Sequence, residues 1–315
     1  MGEEYLKKNK ILKVGLYIAL LFTLFLTGCS NSNSKNDSTR NLKDSMGHEV
    51  TVPTHPKRVV GSYLEDYLVA VGVKPVVQWS VKNASSTQEY LKKDLKNVPT
   101  IDYSLPYEAV TKAKPDLILM GTDSQVQNGK YNQYKKIAPT YVVKNGTDVS
   151  WRDQFLDVAK AVNKTDKAND VLKNYDQKLK SARNTLDKKD ANKSVAVVWV
   201  TNNSAFIVSD KSSSGSLLYG DLKLKEPSLV KEVSKKATAD WSSVSLEKLA
   251  KLDADYIFLV NSDKGADMFK DPIWTNIKAV KDGNLFQYGN DSSWQYKGPI
   301  AYTQMIDNVL KDMTK

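Results

Sequence analysis

The residues able to do chemistry in this 315-residue chain exclude more than they offer. Cys29 is the one cysteine, so neither an intramolecular disulfide nor a cysteine-based zinc site can form. The two histidines, His48 and His55, stand near the front of the chain and read as surface or turn residues rather than ligands. Zinc, manganese and haem sites use His, Cys or clustered carboxylates, so capture of a bare metal is not expected; Met or Tyr ligation of haem stays open, with no residue singled out. There is no Gly-x-Ser-x-Gly elbow, no phosphate-cradling glycine loop and no usable thiol, and no carboxylate pair stands out for glycoside chemistry. The expectation is a binding protein, not an enzyme, without cofactor. Its conspicuous resource is aromatic: 6 Trp and 16 Tyr, several of them just after apolar strands. Tyr63 and Trp79 stand this way in the front half and Trp294 and Tyr296 in a turn after the last strand, while Tyr103 lies between Ile101 and the helix of Glu108, and Trp241 precedes the helix of Glu247. Trp294 and Tyr296 are flanked by polar turn residues.

Cys29 is explained by what precedes it. Lys7, Lys8, Lys10 and Lys13 open a positively charged start, and Val14 to Leu26 is apolar apart from Thr23. Such a run suits a signal peptide better than a bilayer span, which takes ~20 apolar residues. Leu26-Thr27-Gly28-Cys29 closes it and resembles the bacterial lipobox. Residues 1–28 therefore read as a lipoprotein signal peptide, Cys29 as the lipidation site and 29–45 as a polar, flexible tether. That places the protein on the outer face of a cell membrane, lipid-anchored, in an envelope of Gram-positive type. The net charge is +10, or +8 once the four Lys and two Glu of the signal are removed. It is carried by dispersed lysines with four arginines, which argues against nucleic acid and for a soluble lysine-coated surface.

The elements that must position these residues fall into two similar halves. In front, Arg58 to Ser62 and Val76-Val77 read as short strands around a helical segment, Leu64 to Val71; a short helix from Tyr107 to Ala113 then leads to the strand Leu117 to Met120. Behind, Ser245 to Ala250 leads to the strand Tyr256 to Val260. Unbroken apolar strands alternating with helices indicate α/β units with mainly parallel sheet. Between them, Ala168, Val171, Leu172, Tyr175, Leu179 and Ala182 recur at three- and four-residue intervals, predicting one long helix. The reading is an α/β fold of two lobes, 46–165 and 189–315, joined by a helix over 166–188, with a ligand cleft between them.

Met46 to Pro53 followed by Pro56 to Val60, Glu108 to Leu119, Ala138-Pro139-Thr140, Glu247 to Phe258 and Asp271 to Gly283 together resemble the iron-siderophore and cobalamin class of ABC-transporter substrate-binding proteins. The resemblance covers nearly all of 46–312 and implies two Rossmann-like lobes bridged by one helix, with little hinge motion. It implies that Glu108 and Glu247 dock on arginines of a membrane permease that works with an ATPase. Many relatives carry an arginine and an aromatic in the loop opening the second lobe, where this chain has Ser213 and Lys211. Both are candidate ligand-binding residues, with Tyr63, Trp79, Tyr103, Trp241, Trp294 and Tyr296.

The function implied is capture of a ferric siderophore by a monomeric extracellular lipoprotein and its delivery for iron uptake. Iron already wrapped in hard oxygen donors needs only aromatic walls and a few donors from the protein. Scarce arginine points to a near-neutral hydroxamate or mixed hydroxamate–citrate chelate, because lysine reproduces bidentate arginine contacts poorly. Cobalamin, haem or another metal complex is the alternative ligand, and a surface protein outside transport the more distant alternative.

Overall fold

A computed structural model describes residues 38–81, 85–190 and 192–314, so Cys29 and the segment read as its signal peptide lie outside the described residues. The described chain opens on a hairpin in which β1 (Thr39–Lys43) pairs antiparallel with β2 (Glu49–Pro53). This corrects the extension of the tether to residue 45. The stretch TRNLK is polar enough to pass for linker, but its alternate side chains turn inward and Leu42 packs on the main core. Arg40 ties the hairpin down by donating to the carbonyls of Lys160 and Ala161 at 3.1 and 3.0 Å.

In the first lobe β3 (Val59–Val60), β6 (Leu117–Met120) and β7 (Thr140–Val142) run parallel in the order β3-β6-β7. A parallel pair, β4 (Gln78–Ser80) and β5 (Thr100–Asp102), follows at the β3 edge, where the Val76 amide donates to the Val59 carbonyl at 2.9 Å. Every residue of β6 is buried, as expected for a strand covered on both faces. The helices of this lobe are α1 (Glu65–Ala70), α2 (Tyr107–Lys112) and α3 (Lys130–Lys135).

The second lobe holds a five-stranded sheet in the order β10-β9-β8-β11-β12: β8 (Val195–Thr201), β9 (Ser204–Val208), β10 (Trp241–Val244), β11 (Tyr256–Asn261) and β12 (Leu285–Gly289). β8, β11 and β12 are parallel as expected, but β9 and β10 are antiparallel. The reversal is local chemistry: Asn202 and Asn203 form a two-residue loop with φ of 48° and 52°, the paired positive values a tight hairpin requires and asparagine tolerates.

Two helices, α4 (Trp151–Ala161) and α5 (Thr165–Asp190), connect the lobes. At 26 residues, α5 is ~39 Å long and buries Ala168, Tyr175, Leu179, Ala182 and Leu186 along one face. α6 (Ser228–Ser234), α7 (Leu246–Leu249), α8 (Pro272–Thr275) and α9 (Lys278–Lys281) belong to the second lobe. The C-terminal α10 (Pro299–Met313) returns to pack on both α5 and α1. One buried cluster consequently runs from Val59 and Leu117 through α4, α5 and α10 to Val195 and Phe258, while a separate cluster covers the outer face of each lobe's sheet. The lobes share a core rather than meeting at a hinge.

A chain begun at Asp44 should melt ~5 °C below one begun at Ser38, because it loses the β1 ladder and both Arg40 bonds. Equal melting temperatures in paired calorimetric scans would return β1 to the status of a tether.

Candidate functional site

Two adjoining cavities, of about 850 and 750 Å³, share Gly146, Val149, Asp240 and Lys297 and together form the cleft between the lobes. Their size suits a medium-sized ligand. The larger is built by first-lobe loops that follow strands, the ends at which open α/β sheets bind ligands. Ser62 and Tyr63 follow β3, Tyr103 follows β5, and Gly121 and Thr122 follow β6; Trp79 sits within β4. The smaller lies on the second-lobe side, with Arg152, Asp210, Lys211, Ser213, Asp221 and Tyr302 among its walls.

The aromatic wall is continuous. Tyr63, 42% exposed, has ring centroids at 5.1 Å to Trp79 and 6.0 Å to Tyr296, and Tyr296 meets Tyr90 at 5.0 Å. Tyr103 stands at the rim, 59% exposed. Tyr296 is nearly buried and donates to the Thr87 carbonyl at 3.3 Å, so it backs the wall.

Behind this wall, one carboxylate joins the lobes. α10 begins with Gly298, which has no capping side chain, and Pro299, which has no N–H; the amides of Ile300 and Ala301 would be orphaned. Asp66 of α1 accepts both, at 3.1 Å on Oδ1 and 2.9 Å on Oδ2, and also accepts the Tyr90 hydroxyl at 2.9 Å. Gly298, at φ 142°, is required: a Cβ there would lie 2.3 Å from Asp66 Oδ1. Its neighbour Glu65 is fully buried and accepts the Trp79 amide at 2.6 Å, fixing β4 to α1.

The cleft offers little positive charge beyond lysine. Lys130, Lys211 and Lys297 line it, against Asp148, Asp210 and Asp240. Arg152 also lines it but is already occupied: Nη1 donates to both oxygens of Asp221 at 3.1 Å and Nη2 to Asp176 at 2.8 Å, with the guanidinium 4.6 Å over the Trp151 ring. Burial opposes its charge, but Asp176 and Asp221 outweigh that and raise its pKa. Arg183 donates to the Asp221 carbonyl, Arg58 to those of Ala113 and Lys114, and Arg40 as above, so every arginine of the chain has protein acceptors.

Besides Tyr296, which backs the wall and lines neither cavity, three candidates from the sequence are placed differently from expectation. Trp294 is fully buried, stacked at 4.4 Å on Phe258, because a 3₁₀ turn (Ser293–Gln295) tucks the ring beneath the sheet. Its polar neighbours in sequence concealed that. Trp241 lies edge-on to Trp199 at 5.8 Å on the β10 edge and lines neither cavity. Ser213 borders the smaller cavity but is 2% exposed, its Oγ donating to the Tyr296 carbonyl and its own carbonyl accepting from Tyr302. Ser62, Lys130 and Asp240 were missed, since nothing local to their sequence marks them.

Glu108 and Glu247 are exposed and occupy equivalent positions, the second residue of α2 and of α7, each helix leading into a parallel inner strand of its lobe, β6 and β11. The helix N-terminal amide and Ser245 hold the Glu247 carboxylate below its ordinary pKa. His48 donates from Nδ1 to the Asp44 carboxylate, 2.9 Å away, and stacks on Tyr131; His55 is exposed. Among the described residues there is no cluster of three metal-ligating side chains, and no helix is long and apolar enough to cross a membrane.

The sequence pattern of the periplasmic binding protein family matches residues 61–292. The probable siderophore-binding lipoprotein YfiY of Bacillus subtilis is 31% identical, over 93% of this chain and 95% of its own length. The iron(3+)-hydroxamate-binding protein FhuD of the same organism is 29% identical, over 95% and 96%. The crystal structure of Staphylococcus aureus SirA complexed with staphyloferrin B superposes with a TM-score of 0.72 at 26% identity, covering 88% of this chain and 99% of that one.

The two carboxylates behind the wall set a pH dependence. Burial pushes Glu65 up to about 8 and Asp66 to about 7, despite the hydrogen bonds that favour their ionised forms. From about pH 4 upward the unfolded chain releases these protons while the folded one keeps them, so stability falls as pH rises through 7 to 8. Melting temperature should therefore decline across that window, and Glu65→Gln with Asp66→Asn should flatten the decline; an unchanged slope in the double variant would refute the assignment.

Proposed function

This chain belongs to the periplasmic binding protein family, and from that premise we propose that it captures a ferric siderophore of near-neutral outer charge, a hydroxamate or mixed hydroxamate–citrate chelate, and hands it to an ABC permease. The observation that carries the ligand class is the commitment of every arginine to protein acceptors, Arg152 in the cleft included. A polyanionic chelate needs bidentate arginine partners, whereas a hydroxamate complex needs surfaces to lie on and a few donors. Tyr63, Trp79 and Tyr103 supply the surfaces; Lys130, Lys211 and Lys297 supply donors on flexible stems.

The route to the membrane follows from the two ends of the argument. Cys29 holds the protein by lipid at the outer face of the membrane. Glu108 and Glu247, one on each lobe and held apart by a shared core, offer a permease two carboxylates in fixed register, able to accept charge-assisted hydrogen bonds from arginine. No conformational chemistry is asked of the protein.

Intrinsic tryptophan fluorescence, titrated with ferrioxamine B and with ferric citrate, tests the ligand class. The trihydroxamate should bind at least ~10-fold more tightly, a difference of about 1.4 kcal/mol; tighter binding of citrate would overturn the charge argument. Glu108→Arg with Glu247→Arg should abolish iron uptake by whole cells while leaving the fluorescence titration as it is. Uptake at the unmodified rate would remove the docking roles.

A further inference from the structure

The loop that leads into α2 shows more aromatic surface than the fold needs. Four large apolar side chains stand exposed among the described residues: Met46, Tyr63, Tyr103 and Tyr107. Met46 lies in the turn between β1 and β2, Tyr63 belongs to the cleft wall, and Tyr103 stands at its rim. Tyr107, 39% exposed, lines neither cavity and has no part in that site. It immediately precedes Glu108.

The ring is held from beneath. It meets Tyr134 at 4.8 Å, and the buried Tyr134 donates from its hydroxyl to the Leu105 carbonyl at 2.8 Å. Leu105 sits at φ 52°, a value costly for leucine, with its side chain in the outer core of the lobe. Asp102 Oδ1 accepts the amide and the hydroxyl of Ser104 at 3.0 and 2.6 Å, and the Asp102 carbonyl accepts the Leu105 amide at 2.9 Å. Past the other end of α2, Arg58 donates to the carbonyls of Ala113 and Lys114 at 2.6 and 2.7 Å. The helix is fixed at both ends, and ring and carboxylate leave it from adjacent positions, ~100° apart around the axis.

The second lobe differs at the matching place. Leu246 precedes Glu247, is half-buried and packs on the outer core of its lobe. Covering the sheet is all that this position requires there. Tyr107 covers Tyr134 and still presents 39% of its surface to solvent, beside a carboxylate.

We propose that Tyr107 is part of the permease-docking surface, its ring receiving the guanidinium that pairs with Glu108. This rests on the docking and ferric-chelate readings above. A guanidinium is planar, cationic and weakly hydrated, so one such group can lie on an aromatic face and form charge-assisted hydrogen bonds to a carboxylate. A tyrosine already held rigid loses little freedom on contact, which suits it to an interface. The two lobes therefore dock unequally: the first offers a carboxylate with a ring, the second a carboxylate alone.

Initial rates of iron-55 uptake by whole cells test this, with Tyr107→Phe and Tyr107→Leu compared with wild type. Iron is given as ferrioxamine B or as ferric citrate, whichever the wild type binds more tightly. Both substitutions still cover Tyr134, and phenylalanine alone keeps the ring. Tyr107→Leu should take up iron about two- to tenfold more slowly, while Tyr107→Phe keeps the wild-type rate. Fluorescence titrations and melting temperatures of the two variants should agree. Wild-type uptake by Tyr107→Leu would overturn the proposal. An equal loss in both variants would do the same, by tracing the effect to the hydroxyl, as would a loss of ligand affinity in Tyr107→Leu large enough to account for its slower uptake. Glu108→Arg with Glu247→Arg, measured alongside, separates the two readings. If that variant stops uptake while Tyr107→Leu does not slow it, this inference alone falls. If that variant transports at the unmodified rate, or wild type binds neither chelate, the reading beneath it falls and this inference with it.

Discussion

The Asp66 carboxylate on the first turn of α10 is the contact on which the geometry of the cleft depends. It belongs to the first lobe, and the amides it accepts belong to a helix that packs along α5 and follows directly on Lys297 of the cleft. The arrangement needs a glycine at 298 to let the chains approach and a proline at 299 to begin the helix without an unsatisfied amide. With the core running unbroken from one sheet to the other, the lobes are held as one body. A cleft built in this way is present before the ligand arrives, and little of the binding free energy is spent on closure.

The second constraint is electrostatic. A charge drawn partly out of water is best paired, and Arg152, half-buried, is paired within the protein by two carboxylates and two aromatic faces. Its alternative employment, clamping an anionic ligand, would require breaking contacts that also hold α4 to α5 and to Asp221. What remains in the cleft is a set of exposed lysines balanced by aspartates, next to a wall of tyrosine and tryptophan. That environment favours a ligand recognised by shape and hydrogen bonding over one recognised by charge.

Much of this was legible in the sequence, and the limits have physical causes. The apolar period of α5 predicted its buried face from Ala168 to Ala182, and the helix–strand units bearing Glu108 and Glu247 were visible as short amphipathic runs before all-apolar strands. Trp294 was misjudged because burial of an aromatic is decided by what folds over it, here Phe258, and not by the serines and glutamine beside it. β1 passed for tether because its stability comes from a partner strand and from carbonyls more than a hundred residues away. Asp66 showed no sign of its role, since its acceptors' partners lie 234 and 235 residues downstream. The commitment of Arg152 likewise requires three dimensions.

Solution X-ray scattering, recorded with and without bound ferrioxamine B, measures most directly whether the lobes present a preformed cleft. Superimposable curves, with the same radius of gyration, are what a shared core and the Asp66 cap predict. A contraction on binding, with the curves diverging at the angles that report inter-lobe distance, would contradict the account and make the cleft a product of closure.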